Sequence, residues 1–348
     1  MASFNILVTG VTGYIGGSVL SEILVSNPGI LSKHSISVLV RGEDKAKVYE
    51  TKGLRPILFN SLDELELLRQ VASEHDIVIH TASGFHTAAA RALVLGLGDR
   101  RKATGQEVHY VHTTGTSNLG DQNTTQKYTE DGRIFSDKED IFSYLKSREA
   151  LQVYAQRTTD IAVVETGLIH NVATTLIMSP TIYGFGSGLF NKHSIQIPIL
   201  TRSALSTGQV EVVGQGTGVW DYVHISDLTK LYNLVFTKVL AGEVIPSGEQ
   251  GIIFSGTGRY TWRELSQRIA WALSSLGAIK SEEVRSIDIP EAAEKWSGGL
   301  LLSVELGFAS NSRTSADVSY ELGWKPEKTA KDWENSFLEE AKALRPKN

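Results

Sequence analysis

Apolar residues in the first half of the chain arrive in short runs, and each run is followed by a stretch in which they recur every three or four positions. FNILVTG (4–10) comes first, followed by a helical pattern from about Gly13 to Ser26. ISVLVR (36–41), RPILF (55–59), DIVIHTAS (76–83), VHYVHTT (108–114) and TTLIMSP (174–180) repeat the run. Between them lie a polar helix around Lys45–Lys52, the segment LDELELLRQVA with leucines at 62, 65 and 68 on one face, and a helix rich in Ala and Leu. A further helix is expected from just after Tyr154 to about Gly167. Runs that are apolar throughout, not alternately, belong to strands buried on both faces, and their alternation with helices predicts a doubly wound parallel sheet.

From about Tyr183 the rhythm breaks into GFGSG, an Ile-rich segment, VEVVG and several loops. A helix opens again at TWRELSQRIAWAL (261–273), where Thr261 and Glu264 have the spacing of a capping box. The expected fold class is therefore α/β, a parallel sheet covered on both faces with a smaller domain appended to it.

Composition narrows the function. A hydrophobic share of 41% and a charged share of 21% suit a globular chain with a sizeable core. The net charge of −5, without a basic cluster, gives no support to a nucleic-acid partner. The absence of cysteine removes disulfides, thiolate metal sites and a cysteine nucleophile. The opening apolar run reads as a first strand and not a signal peptide, and no apolar stretch is long enough for a membrane span, so a cytoplasmic location is expected. His80, His109 and His112 lie on expected strands without metal-ligand spacing and are read as core or cofactor neighbours; no metal is expected.

The chemistry begins at LVTGVTGYIGG (7–17), which sets Gly10, Gly13 and Gly16 between the first strand and the first helix. Gly10 permits the tight turn, Gly13 lets backbone approach a pyrophosphate, and Gly16 lets strand and helix pack closely, while the helix N-terminus offers its amides. Thr12, Tyr14 and Ile15 fall in the same cradle. The second strand ends at Arg41, with Lys45 and Lys47 behind it; a cation there suits the 2′-phosphate of NADP(H) better than the ribose of NAD. Asn60 and Ser61 follow the third strand where an adenine would lie, and Thr81, Ala82 and Ser83 end the fourth beside the cofactor.

TGVTGYIGG, HTAS, YVHTTGTSNLG, SPTIYG, WDYVHISDL and YELGWKP, in that order, resemble the extended short-chain dehydrogenase/reductase superfamily, in its epimerase/dehydratase-like branch and among its atypical members. The resemblance spans nearly the whole chain and implies a Rossmann sheet joined to a smaller C-terminal α+β substrate domain interleaved in sequence, the first over residues 1–182 and about 219–257, the second over about 183–218 and 258–348. It implies a nicotinamide cofactor, with Thr113 and the Pro180-Thr181-Ile182 turn beside it. It also implies a Tyr-x-x-x-Lys pair and a Ser or Thr hydroxyl after the fifth strand. The hydroxyl candidates are Thr113, Thr114, Thr116 and Ser117, of which Thr114 is chosen; Gly115 occupies the usual serine position.

Two tyrosines compete for the acid. Tyr144 in YLKSR imitates the motif with arginine for lysine. Counting back from Pro180 by the family spacing instead places the pair at Tyr154 and Thr158, so the lysine is missing and Arg157 stands next to its place. The catalytic set is expected to be Tyr154, Thr114 and Arg157.

On the substrate side the resemblance implies roles for Thr116, Tyr183, Phe190 and Trp220, with Phe185 and Leu189 nearby. Nucleotide-sugar enzymes of this branch carry arginine where Trp220 stands, so a less polar substrate is expected. His224 and Asp227 are expected to fix an interdomain turn. The resulting expectation is an NADP(H)-dependent reductase of a carbonyl, or of a C=C or C=N bond, in a small apolar molecule, possible as a homodimer. An epimerase, dehydratase or isomerase on the same scaffold, or a cofactor-binding regulator without turnover, are the alternatives.

Overall fold

The computed structural model describes residues 3–130 and 132–345. β1 (Asn5–Thr9), β2 (Ser35–Val40), β3 (Arg55–Leu58), β4 (Ile77–His80) and β5 (His109–Gly115) lie in one parallel sheet with the strands Ala173–Ser179 and Ile252–Phe254. Its spatial order is Ile252–Phe254, Ala173–Ser179, β5, β4, β1, β2, β3, the doubly wound α/β order of a Rossmann fold. The central strands are buried on both faces, which is why their sequences read as unbroken apolar runs. Chain order reverses between β1 and β4, and the crevice at their C-terminal ends is where such folds bind ligands.

A second hydrophobic core gathers around Trp220, Trp262, Tyr260 and Trp333, above a three-stranded sheet of Thr181–Tyr183, Val219–His224 and Gly258–Thr261. Strand Val219–His224 is hydrogen-bonded into this small sheet, while Val223 within it and Ile225, which opens the helix Ile225–Leu240, are buried in the first core. The C-terminal segment returns as well: Ala316 and Trp324 are buried in the first core, and the Trp324 indole donates to the Asp227 carbonyl at 2.8 Å. Asp227 accepts from the amides of Glu327 and Lys328, and His224 caps the helix through the Ser226 amide, so both residues tie segments together. Among the described residues no helix is long and apolar enough to cross a membrane.

Candidate active site

At the β1–α1 turn, α1 being Tyr14–Ser26, Gly10 has φ +73°, and a Cβ there would fall 2.6 Å from the Thr81 carbonyl carbon. A Cβ on Gly16 would lie 2.1 Å from Thr81 Oγ1. The two glycines therefore let β1, α1 and the end of β4 close on one another. Gly13 is the N-cap of α1; no side chain caps that end and no acid lies in its first turn, so its amides and positive dipole end remain for an anion. A cleft of about 360 Å³ opens there, lined among others by Gly10, Thr12, Gly13, Arg41, Ser61, Thr81 and Ala82. Arg41 is exposed at its edge and makes no ion pair among the described residues. These residues fit a dinucleotide: the free amides of α1 would hold a pyrophosphate, and Arg41 stands in the lining of the same cleft.

Two residues expected beside the cofactor, Asn60 near the adenine and Ser83 at the end of β4, do not line the cleft. Asn60 is turned back onto Glu64, to which both its amide and its side chain donate. Ser83 takes its place in a local turn, accepting from the Phe85 amide and, through its carbonyl, facing His80. Leu62, Asp63 and His86, not foreseen, line the cleft beside Ser61.

A second cavity, about 350 Å³, lies at the C-terminal ends of β5 and Ala173–Ser179, between the two cores. Tyr14, Ile15, Thr114, Thr116, Tyr154, Pro180, Ile182 and Trp220, each named from the sequence as a candidate site residue, line it. Phe85, Ser117, Gln156, Trp296 and Phe308 line it too. No lining side chain is acidic or basic.

The hydroxyl chemistry is arranged differently from the expectation. Thr113 points to the opposite face of β5 and bonds the Tyr232 hydroxyl at 2.6 Å. Thr114 touches the cavity, but its hydroxyl donates to the buried Asp160 carboxyl at 2.8 Å and accepts from Asn118. The hydroxyl that meets Tyr154 is that of Ser117, in the single helical turn Thr116–Leu119 after β5. Tyr154 Oη donates to Ser117 Oγ at 3.2 Å, and Ser117 donates to Gln156 Oε1 at 2.6 Å. Tyr154 is buried, its ring edge-on to Phe85, at the N-cap of the helix Ala155–His170. Burial raises its pKa, with smaller opposing effects from the Ser117 bond and the Arg157 charge.

Tyr144 does not reach the cavity. Its hydroxyl accepts from Arg148 and donates to Glu130, and its ring packs on Phe135. Arg157 is also outside: fully buried, it donates to the carbonyls of Asn118 and Gln152 and to Glu149. Thr158, where the lysine is missing, bonds Glu149 and the Tyr154 carbonyl.

Three further expected residues are placed away from the cavity. Tyr183 lies in the second core against Tyr222, His224 and Trp333. Thr181 donates to Gln196 and bonds the Tyr260 hydroxyl. Phe190 packs beside Tyr49 under Lys45. His80 and His112 stack in the first core 5.5 Å apart, both with pKa lowered, chiefly by burial.

A family profile matches residues 6–246. The chain belongs to the NAD dependent epimerase/dehydratase family. Among curated members, an oxidase of Acremonium sp, ucsJ, is 29% identical, covering 92% of each chain. An uncharacterised protein of Saccharomyces cerevisiae is 26% identical over 93% of this chain and 95% of its own. Among solved structures, the dTDP-glucose 4,6-dehydratase DesIV of Streptomyces venezuelae, with NAD and TYD bound, superposes with a TM-score of 0.64 at 18% identity, covering 97% and 96% of the two chains. A UDP-glucose 4-epimerase of Thermotoga maritima gives 0.60 at 17% identity, covering 98% and 100%. At these identities the solved structures establish the fold of this family member, and its cavity has to speak for its chemistry.

Proposed function

We propose that this family member is an NADP(H)-dependent oxidoreductase that reduces a carbonyl group of an uncharged, largely apolar small molecule. The observation that carries the reading is the second cavity: a tyrosine–serine hydroxyl pair opens into a space without a single charged side chain. A nucleotide-sugar substrate brings a diphosphate, and burying that charge without a counter-ion is prohibitive. Trp220, whose indole is anchored to Ser310 Oγ at 2.9 Å, offers a flat apolar wall in its stead.

When bound, the nicotinamide supplies the hydride. The chain's own residues handle the oxygen. Ser117 gives its one hydroxyl hydrogen to Gln156 and accepts from Tyr154 at 3.2 Å, so it positions the phenol, and Tyr154 is the donor that turns to the carbonyl oxygen. Because burial raises the Tyr154 pKa and no lysine lowers it, the phenol keeps its proton at neutral pH. A protonated tyrosine is a donor, which suits reduction; oxidation of an alcohol would need the tyrosinate. Arg41 supports NADP(H) over NAD(H), since an unpaired cation at the end of β2 is suited to a 2′-phosphate.

The test follows NADPH consumption by absorbance with a panel of neutral ketones and aldehydes and, because epimerisation and dehydration return the cofactor unchanged, follows UDP-glucose and dTDP-glucose by chromatography of the sugar products. Turnover of neutral carbonyls supports the reading, and turnover of the nucleotide sugars alone refutes it. One observation favours a second reading: Thr158 is bonded away where the family lysine would stand. Tight NADPH binding with no carbonyl turned over would make the chain a cofactor-responsive regulator.

A further inference from the structure

We propose that the substrate carries an apolar tail longer than the cavity, and that the tail lies on a sill at the cavity mouth made by Phe85, Ile195, Leu300 and Leu301. The proposal rests on the carbonyl-reduction reading. The space itself sets the need. At about 350 Å³ the cavity is small for a ligand site, and its Ile15, Pro180 and Ile182 side is the part assigned to the nicotinamide. What remains holds a carbonyl and its near neighbours, so the rest of a larger molecule has to leave through the mouth.

The mouth is built to receive something apolar. Phe85 and Ile195 line the cavity and yet remain 50% and 70% exposed, so their side chains run from the interior to the surface. On the other rim, the helix Leu301–Phe308 turns Ser303, Gly307 and Phe308 into the cavity. Helical spacing puts Leu300 on the stripe of Ser303 and Gly307, and Leu301 on the stripe of Val304 and Phe308. The wall therefore continues outward as Leu300 and Leu301, which are 62% and 52% exposed. One exposed leucine is ordinary, whereas large apolar side chains on both rims of a single cavity mark a binding surface. None of the four carries a charge, so the tail they fit is a hydrocarbon chain or an apolar ring system.

The probe is a series of methyl ketones from butanone to tridecanone, titrated against the fluorescence of the full chain, in which Trp220 and Trp296 line the cavity. For ketones that outgrow the cavity, affinity should keep rising by about two- to fourfold per added methylene. The double variant Leu300→Ser, Leu301→Ser should lose about tenfold or more on the longest ketone and progressively less on shorter ones. Serine is a favoured N-cap at position 300, so the helix is kept. A series that goes flat once the cavity is full, or a double variant that tracks the wild type, overturns the sill. So does a double variant that turns a dimer into a monomer by light scattering, because the leucines would then be a subunit contact. NADPH consumption separates the two ideas. A length-dependent titration without turnover sinks the redox reading and leaves the sill, while turnover with a flat titration does the reverse.

Discussion

Replacing Arg157 by lysine should destabilise the protein while leaving its charge in place. The guanidinium is fully buried and forks to three acceptors: the Asn118 carbonyl at 3.0 Å, the Gln152 carbonyl at 2.9 Å and Glu149 at 3.1 Å. A lysine ammonium lacks the planar fork and can follow Glu149 only by abandoning the two carbonyls. Each buried acceptor left without a donor costs about 1–3 kcal/mol, so the loss is about 2–6 kcal/mol. For a chain of this length the unfolding entropy is about 0.7 kcal/mol per degree, which converts the loss into a Tm lower by roughly 3–8 °C. Calorimetry at neutral pH reads it directly. The alkaline limb of the pH–rate profile should stay where it is, because a positive charge remains near Tyr154. A lysine variant as stable as the wild type would refute the idea that Arg157 is a tie between its helix and the Ser117 turn.

Tyr154→Phe should lower turnover by about 10²–10⁴, as expected for loss of a general acid, and full activity would remove Tyr154 from the mechanism. Gly13→Asp should keep the fold, since φ −86°, ψ 175° suits an aspartate N-cap, yet abolish NADPH binding in a fluorescence titration; unchanged affinity would sink the cradle. Arg41→Asp should reverse the ratio of NADPH to NADH affinity, and an unaltered ratio counts against its contact with a 2′-phosphate. Glu340 is buried with both carboxyl oxygens unpartnered, and its pKa rises to about 7 from 4.5. The folded state thus holds the extra proton, and stability present at acid pH is lost as pH rises through 7, by about 3 kcal/mol in full. Glu340→Gln should therefore melt above the wild type at about pH 8, with the gap closing towards about pH 4.5; an equal gap at both would contradict the assignment.

The main sheet was legible because its central strands are buried on both faces and the helices between them on one, so the period of the apolar pattern changes at each boundary. The capping box at Thr261 and Glu264 was equally readable, both its bonds being present. The contact of Ser117 with Tyr154 was not legible for a local reason: alternation along β5 names the face of each hydroxyl, but Ser117 lies past the strand, in a helical turn whose direction only the fold sets. Asp160, which takes the Thr114 hydroxyl, comes from a helix 46 residues away. Gln156 stood two positions from Tyr154 and could have been found by asking what else that helix end presents. Trp296 and Phe308 could not, because they reach the cavity from helices whose own patterns say only that one face is buried. Phe190 was misjudged as cavity-facing because its neighbours are apolar; its ring is taken up by Tyr49 instead.

The return of the C-terminal segment to the first core bears on how this chain is made. Strand Ile252–Phe254 completes the edge of the large sheet, the Phe254 carbonyl accepts from Ser319, and Trp324 closes over Asp227. Residues 135–136 pair with 314–315 across about half of the chain's length in sequence. A ribosome that has released the first 250 residues has therefore released a cofactor lobe still lacking a strand and part of its core. That lobe can seal only when residues 314–324 emerge, so the nascent chain depends on that late segment for protection of the large sheet. A chain cut before residue 314 would expose the lobe that β1 begins.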